Sequence, residues 1–213
     1  MQKINNIIFD LDGTLWDSRK QIVKAWKSIL DGKLNIKINE DDLTSLMGKS
    51  NEEFKKKFFN NIPDDLANKY LNMCQEEEVI YLRIHGANIY NNSIHAIKEL
   101  SKNYNLFIVS NCQSGYIESF LSYYNLNQYF KDYECSGTTG LSKEENIKII
   151  IKRNKLLNKN TCYVGDTLSD FMSSNVNNIL FIFANYGFGN CKESKYSIKD
   201  ILDLINLLNS INV

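Results

Sequence analysis

Four short stretches of the chain are apolar on both faces and stop at a polar residue or a glycine: residues 6–11, 106–110, 161–165 and 180–184. A strand with one wet face alternates apolar and polar positions. A strand covered on both sides reads as a continuous apolar run. Runs of this kind demand helices on both faces of one sheet, and the chain supplies them. Residues 93–103 place Ile94, Ile97 and Leu100 on one face, and 143–155 carry Ile147, Ile150 and Ile151. Stretches 115–124, 167–175 and 199–208 are amphipathic as well. A weaker strand candidate is 133–136. Strand alternating with helix predicts an α/β protein, a doubly wound parallel sheet with right-handed crossovers.

One connection breaks the pattern. More than ninety residues separate the first apolar run from the one at 106, whereas a single crossover needs about a dozen. Nearly all of that stretch is helix-like: 21–30 carries Ile22, Ala25, Trp26, Ile29 and Leu30 at helical spacing, and 51–59 and 64–82 are amphipathic. The organisation expected is a core of residues 1–16 and 84–213 with an all-helical domain, 17–83, inserted after the first strand.

The stretch between these two parts, "IIFDLDGTLWDS" (7–18), has two readings. Apolar residues around an Asp-Gly pair signal a β-hairpin. Alternatively, Asp10 and Asp12 are two carboxylates on one face of a strand end, about 7 Å apart if extended. In open α/β sheets sites lie beyond the carboxyl ends of the strands. Those ends hold Asp10 and Asp12, Ser110 and Asn111, and Asp166, with Asp170 one turn into the next helix and Lys143 opening the helix before. Two carboxylates at close approach repel by roughly 4 kcal/mol at an effective dielectric near 20, so such a cluster must protonate or hold a cation. Oxygen ligands without His or Cys suit a hard divalent ion, Mg2+ in particular. A hydroxyl and a lysine beside it could grip a phosphate.

The chain resembles the haloacid dehalogenase superfamily, in the branch of phosphoglycolate phosphatase and β-phosphoglucomutase with a helical C1-type cap after the first motif. Four motifs carry the resemblance in order: "DLDGTLWDS", "FIVSN", "LSKEENI" and "VGDTLSD", with a trailing "NYGFG" (185–189). It implies that Asp10 is a nucleophile forming an aspartyl-phosphate and that Asp12 is the general acid and base. It implies Mg2+ held by Asp10, the main-chain carbonyl of Asp12, Asp166 and Asp170, and phosphate held by Ser110, Lys143 and Asn111. Ser110 and Asn111 could instead cap the next helix. "LMGKS" (46–50) resembles the branch's specificity loop, with Gly48 and Lys49 toward substrate, or is an ordinary interhelical turn. Trp16, at the hinge, is a packing residue or lines substrate entry. Two departures are local: Glu144 follows Lys143 where the branch has Pro, and Asn91-Asn92 replaces Pro-Gly.

The function expected is a Mg2+-dependent phosphatase acting on a small phosphomonoester, phosphoglycolate-like as a first guess. A β-phosphoglucomutase-like transfer on a sugar phosphate is the alternative, and a non-catalytic phosphate-binding protein is an alternative of another class. Lys and Arg number 25, as do Asp and Glu. The balanced charge offers no global field for nucleic acid or an anionic membrane. The run Lys55, Lys56 and Lys57 reads as a solvated helix face. Five scattered cysteines form no disulfide framework or zinc pattern. With no secretory leader expected, they suit a reduced cytoplasmic protein, monomer or homodimer. His85 and His95 read as structural or exposed.

Overall fold

The computed structural model describes residues 3–212; Met1, Gln2 and Val213, the outer limits of the expected core, lie outside the described residues. The chain runs β1 (Asn6–Phe9), β2 (Trp16–Asp17), α1 (Arg19–Ile29), α2 (Glu40–Thr44), α3 (Asn51–Phe58), α4 (Asp64–His85), β3 (Asn88–Ile89) and α5 (Ser93–Leu100). It continues with β4 (Asn105–Ser110), α6 (Tyr116–Tyr123), β5 (Phe130–Cys135), α7 (Ser136–Thr139), α8 (Lys143–Arg153), β6 (Thr161–Gly165), α9 (Leu168–Val176), β7 (Leu180–Ala184), β8 (Tyr196–Ile198) and α10 (Asp203–Ile211). Six strands pair in the order β5-β4-β1-β6-β7-β8, every pair parallel.

Period-two alternation splits each strand between two cores. Ile7, Phe9, Leu106, Ile108 and Val164 face one cluster with Ile97, Phe120 and Leu204 from α5, α6 and α10. Ile8, Phe107, Val109 and Tyr163 face the other with Ile147 and Ile150 from α8. The helices between β2 and β3 form a third cluster of their own around Trp26, Leu43, Phe58 and Leu71. That helical lobe rests on the sheet part through α4 and α6, where the Ser119 hydroxyl donates to the Val79 carbonyl at 3.1 Å. Among the described residues no helix is long and apolar enough to cross a membrane.

The hairpin reading fails for a specific reason. After Gly13 the chain does not fold back on β1; β2 pairs antiparallel with β3, Trp16 opposite Ile89, so a two-stranded clasp closes the root of the helical lobe. Strand β8 escaped sequence analysis because only three residues pair, at the sheet's edge. Two expectations need correction. Lys55 is buried, with its ammonium 2.7 Å from Glu52 and 2.9 Å from Asp64. Its neighbours at helical spacing turn it inward, so the lysine run is not a uniform solvated face. Trp16 is fully buried, edge-on to Tyr116, Phe120 and Tyr124 at 5.1–6.4 Å. Its large ring is the apolar plug behind the clasp and does not line substrate entry.

Removing that plug leaves a cavity the surrounding rings fill only in part. Trp16→Ala is expected to lower unfolding free energy by about 3–5 kcal/mol, measured by urea denaturation. A loss under 1 kcal/mol would show that the clasp does not depend on the indole.

Candidate active site

Parallel strands end together, so the residues that follow them gather at one edge of the sheet. Asp10 follows β1, and its N–H donates to the Val164 carbonyl of β6 at 2.9 Å. Asp166 follows β6. Ser110 closes β4, Lys143 opens α8 and Asp170 sits in the first turn of α9. All five side chains are buried, and all but Asp170 line one large cavity between sheet and helical lobe, about 1380 Å3 in volume. Single carboxylate oxygens of Asp10, Asp166 and Asp170 lie within 4.8 Å of one another.

Lys143 sits among them. Its Nζ is 2.5 Å from Asp170 Oδ1 and 3.1 Å from Asp10 Oδ1. Burial alone would lower its pKa; the two carboxylates outweigh burial and hold it above the ordinary value. Burial also pushes Asp10 up to about 6, against the pull of Lys143. Asp166 is raised further by burial and then by the charges of Asp170 and Asp10. One cation therefore leaves this cluster short of positive charge. Two oxygens express the deficit: Asp10 Oδ1 is too far out of line with Lys143 for a hydrogen bond, and Asp166 Oδ1 has no partner. An all-oxygen donor set with unpaired buried lone pairs fits a hard divalent cation.

The loops around Asp166 are built for close approach. Its Oδ2 accepts the N–H groups of Phe188 (2.7 Å) and Gly189 (3.3 Å) from the 185–189 loop. A Cβ on Gly13, at φ +79°, would lie 2.2 Å from that oxygen, and one on Gly187 would lie 2.3 Å from Asp166 Cβ. No side chain fits at either place.

Asp12 occupies a different environment. Its Oδ1 accepts the Ser18 hydroxyl and, at 2.9 Å, the Tyr116 hydroxyl, which also contacts Ser18 Oγ at 2.7 Å. Burial pushes Asp12 up to about 7 against these hydrogen bonds, and the Asp10 charge adds to the rise. The sequence left Tyr116 and Ser18 unassigned. A tyrosine in the first turn of the helix after the Ser110 strand was the available signal. Buried Glu78 was also missed; it interrupts the stripe Ala67, Leu71, Cys74 and Leu82 on α4.

The remaining expectations divide. Asp170 is brought into the cluster, yet its second oxygen already accepts the Thr167 N–H (2.9 Å) and hydroxyl (2.7 Å), closing a capping box. It therefore anchors Lys143 and the helix start before it can serve an ion. Asn111 lines the cavity, but its amide donates to the Gly48 carbonyl at 3.1 Å and its oxygen accepts Ser136 at 3.0 Å. It is a bridge between sheet edge and helical lobe in this conformation. Gly48 and Lys49 also reach the cavity, and Lys49 is half exposed and 3.5 Å from Glu53. His85 and His95 are exposed.

Comparison with known proteins bears on family and fold. The family model for haloacid dehalogenase-like hydrolases matches residues 7–184. A 5'-nucleotidase from Pseudomonas aeruginosa is 24% identical over 192 residues, covering 86% of this chain and 84% of that protein. Among solved structures, a haloacid dehalogenase-like family hydrolase from Streptococcus pneumoniae superposes with TM-score 0.84 at 20% identity, covering 97% of this chain and 99% of that one. A protein from Haemophilus somnus 129pt, described as a predicted phosphoglycolate phosphatase, superposes with TM-score 0.80 at 17% identity over 97% and 99%.

The deficit of positive charge has a measurable consequence. Millimolar MgCl2 is expected to raise the melting temperature by several degrees, since a ligand at 100 times its Kd stabilises by about 2.7 kcal/mol. Asp166→Asn should melt higher than wild type in EDTA, because one repulsive charge is gone, and should lose the Mg2+ response. Equal shifts in both proteins would remove Asp166 from the cation site. With the family model matching residues 7–184, the chain belongs to the haloacid dehalogenase-like hydrolase family.

Proposed function

We propose that the protein is a Mg2+-dependent phosphomonoesterase working through a phosphorylated Asp10. The observation that carries this reading is the contrast between two carboxylates two residues apart: Asp10 beside Lys143, and Asp12 held by two hydroxyls. The first is kept toward its ionised form by a cation, and the second accepts and gives a proton near neutral pH. Asp10 attacks phosphorus while Asp12 gives its proton to the departing ester oxygen, so the alcohol leaves neutral. Asp12, now a base, takes a proton from the water that attacks the aspartyl-phosphate, and inorganic phosphate leaves. Ser110 donates to a phosphoryl oxygen, and Lys143 offers its charge to the same group. Mg2+ held by Asp10, the Asp12 carbonyl and Asp166 would offset the phosphate charge and let one anion approach another.

The helical lobe is the cap of this enzyme, inserted as 17–83 and closing over the cavity to exclude water. The antiparallel clasp of β2 and β3 supports a hinge at its root. Five free, buried cysteines suit a reducing cytoplasm. For the substrate, the named relatives suggest two classes, a nucleoside monophosphate and a small phospho acid such as phosphoglycolate. No added sugar bisphosphate is needed for hydrolysis, which separates this reading from a mutase.

Asp10→Asn should lower kcat for p-nitrophenyl phosphate by on the order of 10^4-fold or more, as loss of a nucleophile does. Wild-type turnover in that variant rules out the aspartyl-phosphate. For alkyl phosphates, whose leaving oxygen needs a proton, kcat should fall as pH rises through about 7, because Asp12 must be protonated to act. Asp12→Asn should flatten that limb and cost alkyl esters about 10^2- to 10^4-fold, and the p-nitrophenyl ester much less. A pH profile unchanged by Asp12→Asn would assign the acid elsewhere.

A further inference from the structure

Helix α4 buries a carboxylate where its spacing calls for an apolar side chain. Glu78 is 4% exposed and lines the cavity together with Asp12. Its Oε2 accepts the Trp26 indole N–H at 2.6 Å, and the Gln113 amide, buried and without another partner, faces the same carboxylate. Burial pushes its pKa up to about 8, and as carboxylate or carboxylic acid it keeps acceptor lone pairs beyond the Trp26 bond that are open to the cavity. Among the described residues no ion pair involves Glu78, and no cation contributes to its pKa. Burying an acid in this way is unfavourable, and it does nothing for the phosphoryl chemistry at the sheet edge. Asp12 lies near enough for its charge to raise the Glu78 pKa a little further. Asp12 marks the side from which the alcohol departs, so Glu78 sits beside the leaving group.

The rest of this wall has the same character. Ile22, Leu43, Met47, Phe54 and Val79 make it apolar, and Glu52 and Glu76 add further acids. Among the described residues lining the cavity the cations are Lys49 and Lys143. Lys143 is committed to Asp10 and Asp170, and Lys49 is half exposed and paired with Glu53. A leaving group with its own carboxylate would meet two buried acids and no free cation near the ester oxygen. A leaving group with hydroxyl or amine donors would meet an acceptor waiting in an apolar wall.

We propose that Glu78 is a specificity-determining residue that accepts a hydrogen bond from the leaving alcohol, so that the enzyme takes phosphomonoesters of uncharged or amine-bearing, donor-rich alcohols and disfavours phospho acids. This inference rests on the phosphomonoesterase reading above. The donor can be a sugar hydroxyl, as in a nucleoside monophosphate, or an amine, as in an aminoalkyl phosphate.

The experiment measures kcat/KM of the wild type for AMP, phosphoethanolamine, phosphoglycolate and p-nitrophenyl phosphate. AMP or phosphoethanolamine is expected to exceed phosphoglycolate by about tenfold or more, the scale on which an unmet buried polar group discriminates. Which of the two is better tells hydroxyl from amine donors. Glu78→Gln keeps an acceptor oxygen for the Trp26 indole and replaces the other carboxyl oxygen with a donor amide. It should lower the ratio of the preferred ester to p-nitrophenyl phosphate by about tenfold, mainly through KM. A purely structural role for Glu78 would change every substrate by one factor and leave the ratio alone. A wild type that prefers phosphoglycolate or shows no preference, or a Glu78→Gln variant with unchanged ratios, overturns the assignment while p-nitrophenyl phosphate turnover keeps the phosphomonoesterase reading. Failure of the wild type to hydrolyse p-nitrophenyl phosphate with Mg2+ overturns both.

Discussion

Everything at the sheet edge is arranged around one electrostatic imbalance. Asp10, Asp166 and Asp170 are buried within a few ångströms of each other, and among the described residues Lys143 is the single cation paired with them. Like charges in such a place would ordinarily be removed by protonation or by turning outward to water. Here turning outward is closed, and the imbalance shows instead as raised pKa values at Asp10 and Asp166. The Asp10 backbone is tied to β6, the Phe188 and Gly189 amides hold Asp166, and Asp170 is fixed by the Thr167 capping box. The backbone geometry that enforces this includes two glycines against Asp166, where any side chain would collide. The result is a buried, charge-imbalanced edge whose oxygens fit a hard divalent cation.

Sequence made that edge legible because its residues follow strand ends, and strand ends are where apolar runs stop. Asp10, Ser110 and Asp166 could be placed together from the runs alone, and Lys143 and Asp170 from the helices that follow. The fold was legible for the same reason: buried strands with no polar alternation admit one kind of sheet. What was not legible depends on contacts between distant segments. Trp16 looked like a candidate at the site's entrance, and only the packing of α6 and the β2–β3 clasp shows its ring to be enclosed. Asn111 looked like a phosphate ligand or a cap. Its partners, Gly48 and Ser136, are 63 and 25 residues away. The short edge strand β8 carries too few residues for a pattern.

The partners of Asp12 show how one short motif can hold two different acids. Asp10 and Asp12 share a sequence environment but not a chemical one. The first faces an ammonium, the second two hydroxyls from Ser18 and Tyr116. Tyr116 is itself buried, and burial, followed by the nearby Asp12 and Glu78 charges, drives its own pKa well up. It therefore remains a neutral donor across the working range. A neutral donor holds Asp12 in place without fixing its charge, which a lysine in that position would do. The proposed acid and base role needs that freedom, since the same carboxyl must lose a proton and regain it in one cycle.

Division of labour between the two parts of the chain follows from where each set of side chains is anchored. The proposed phosphoryl chemistry falls on residues that follow strands, whose positions are locked by parallel pairing. Glu78, Trp26 and the apolar wall belong to the helical lobe, which has its own core and is joined to the sheet through two chain segments at the clasp. On the proposed role of Glu78, substitutions in that wall are expected to change what the cavity accepts without moving the strand ends, because no strand passes through the lobe's cluster. The exception is the contact of α4 with α6, since α6 also carries Tyr116. A change at Val79 or Ser119 would be felt at Asp12, and this contact, together with the Asn111–Gly48 bridge, couples selection to chemistry.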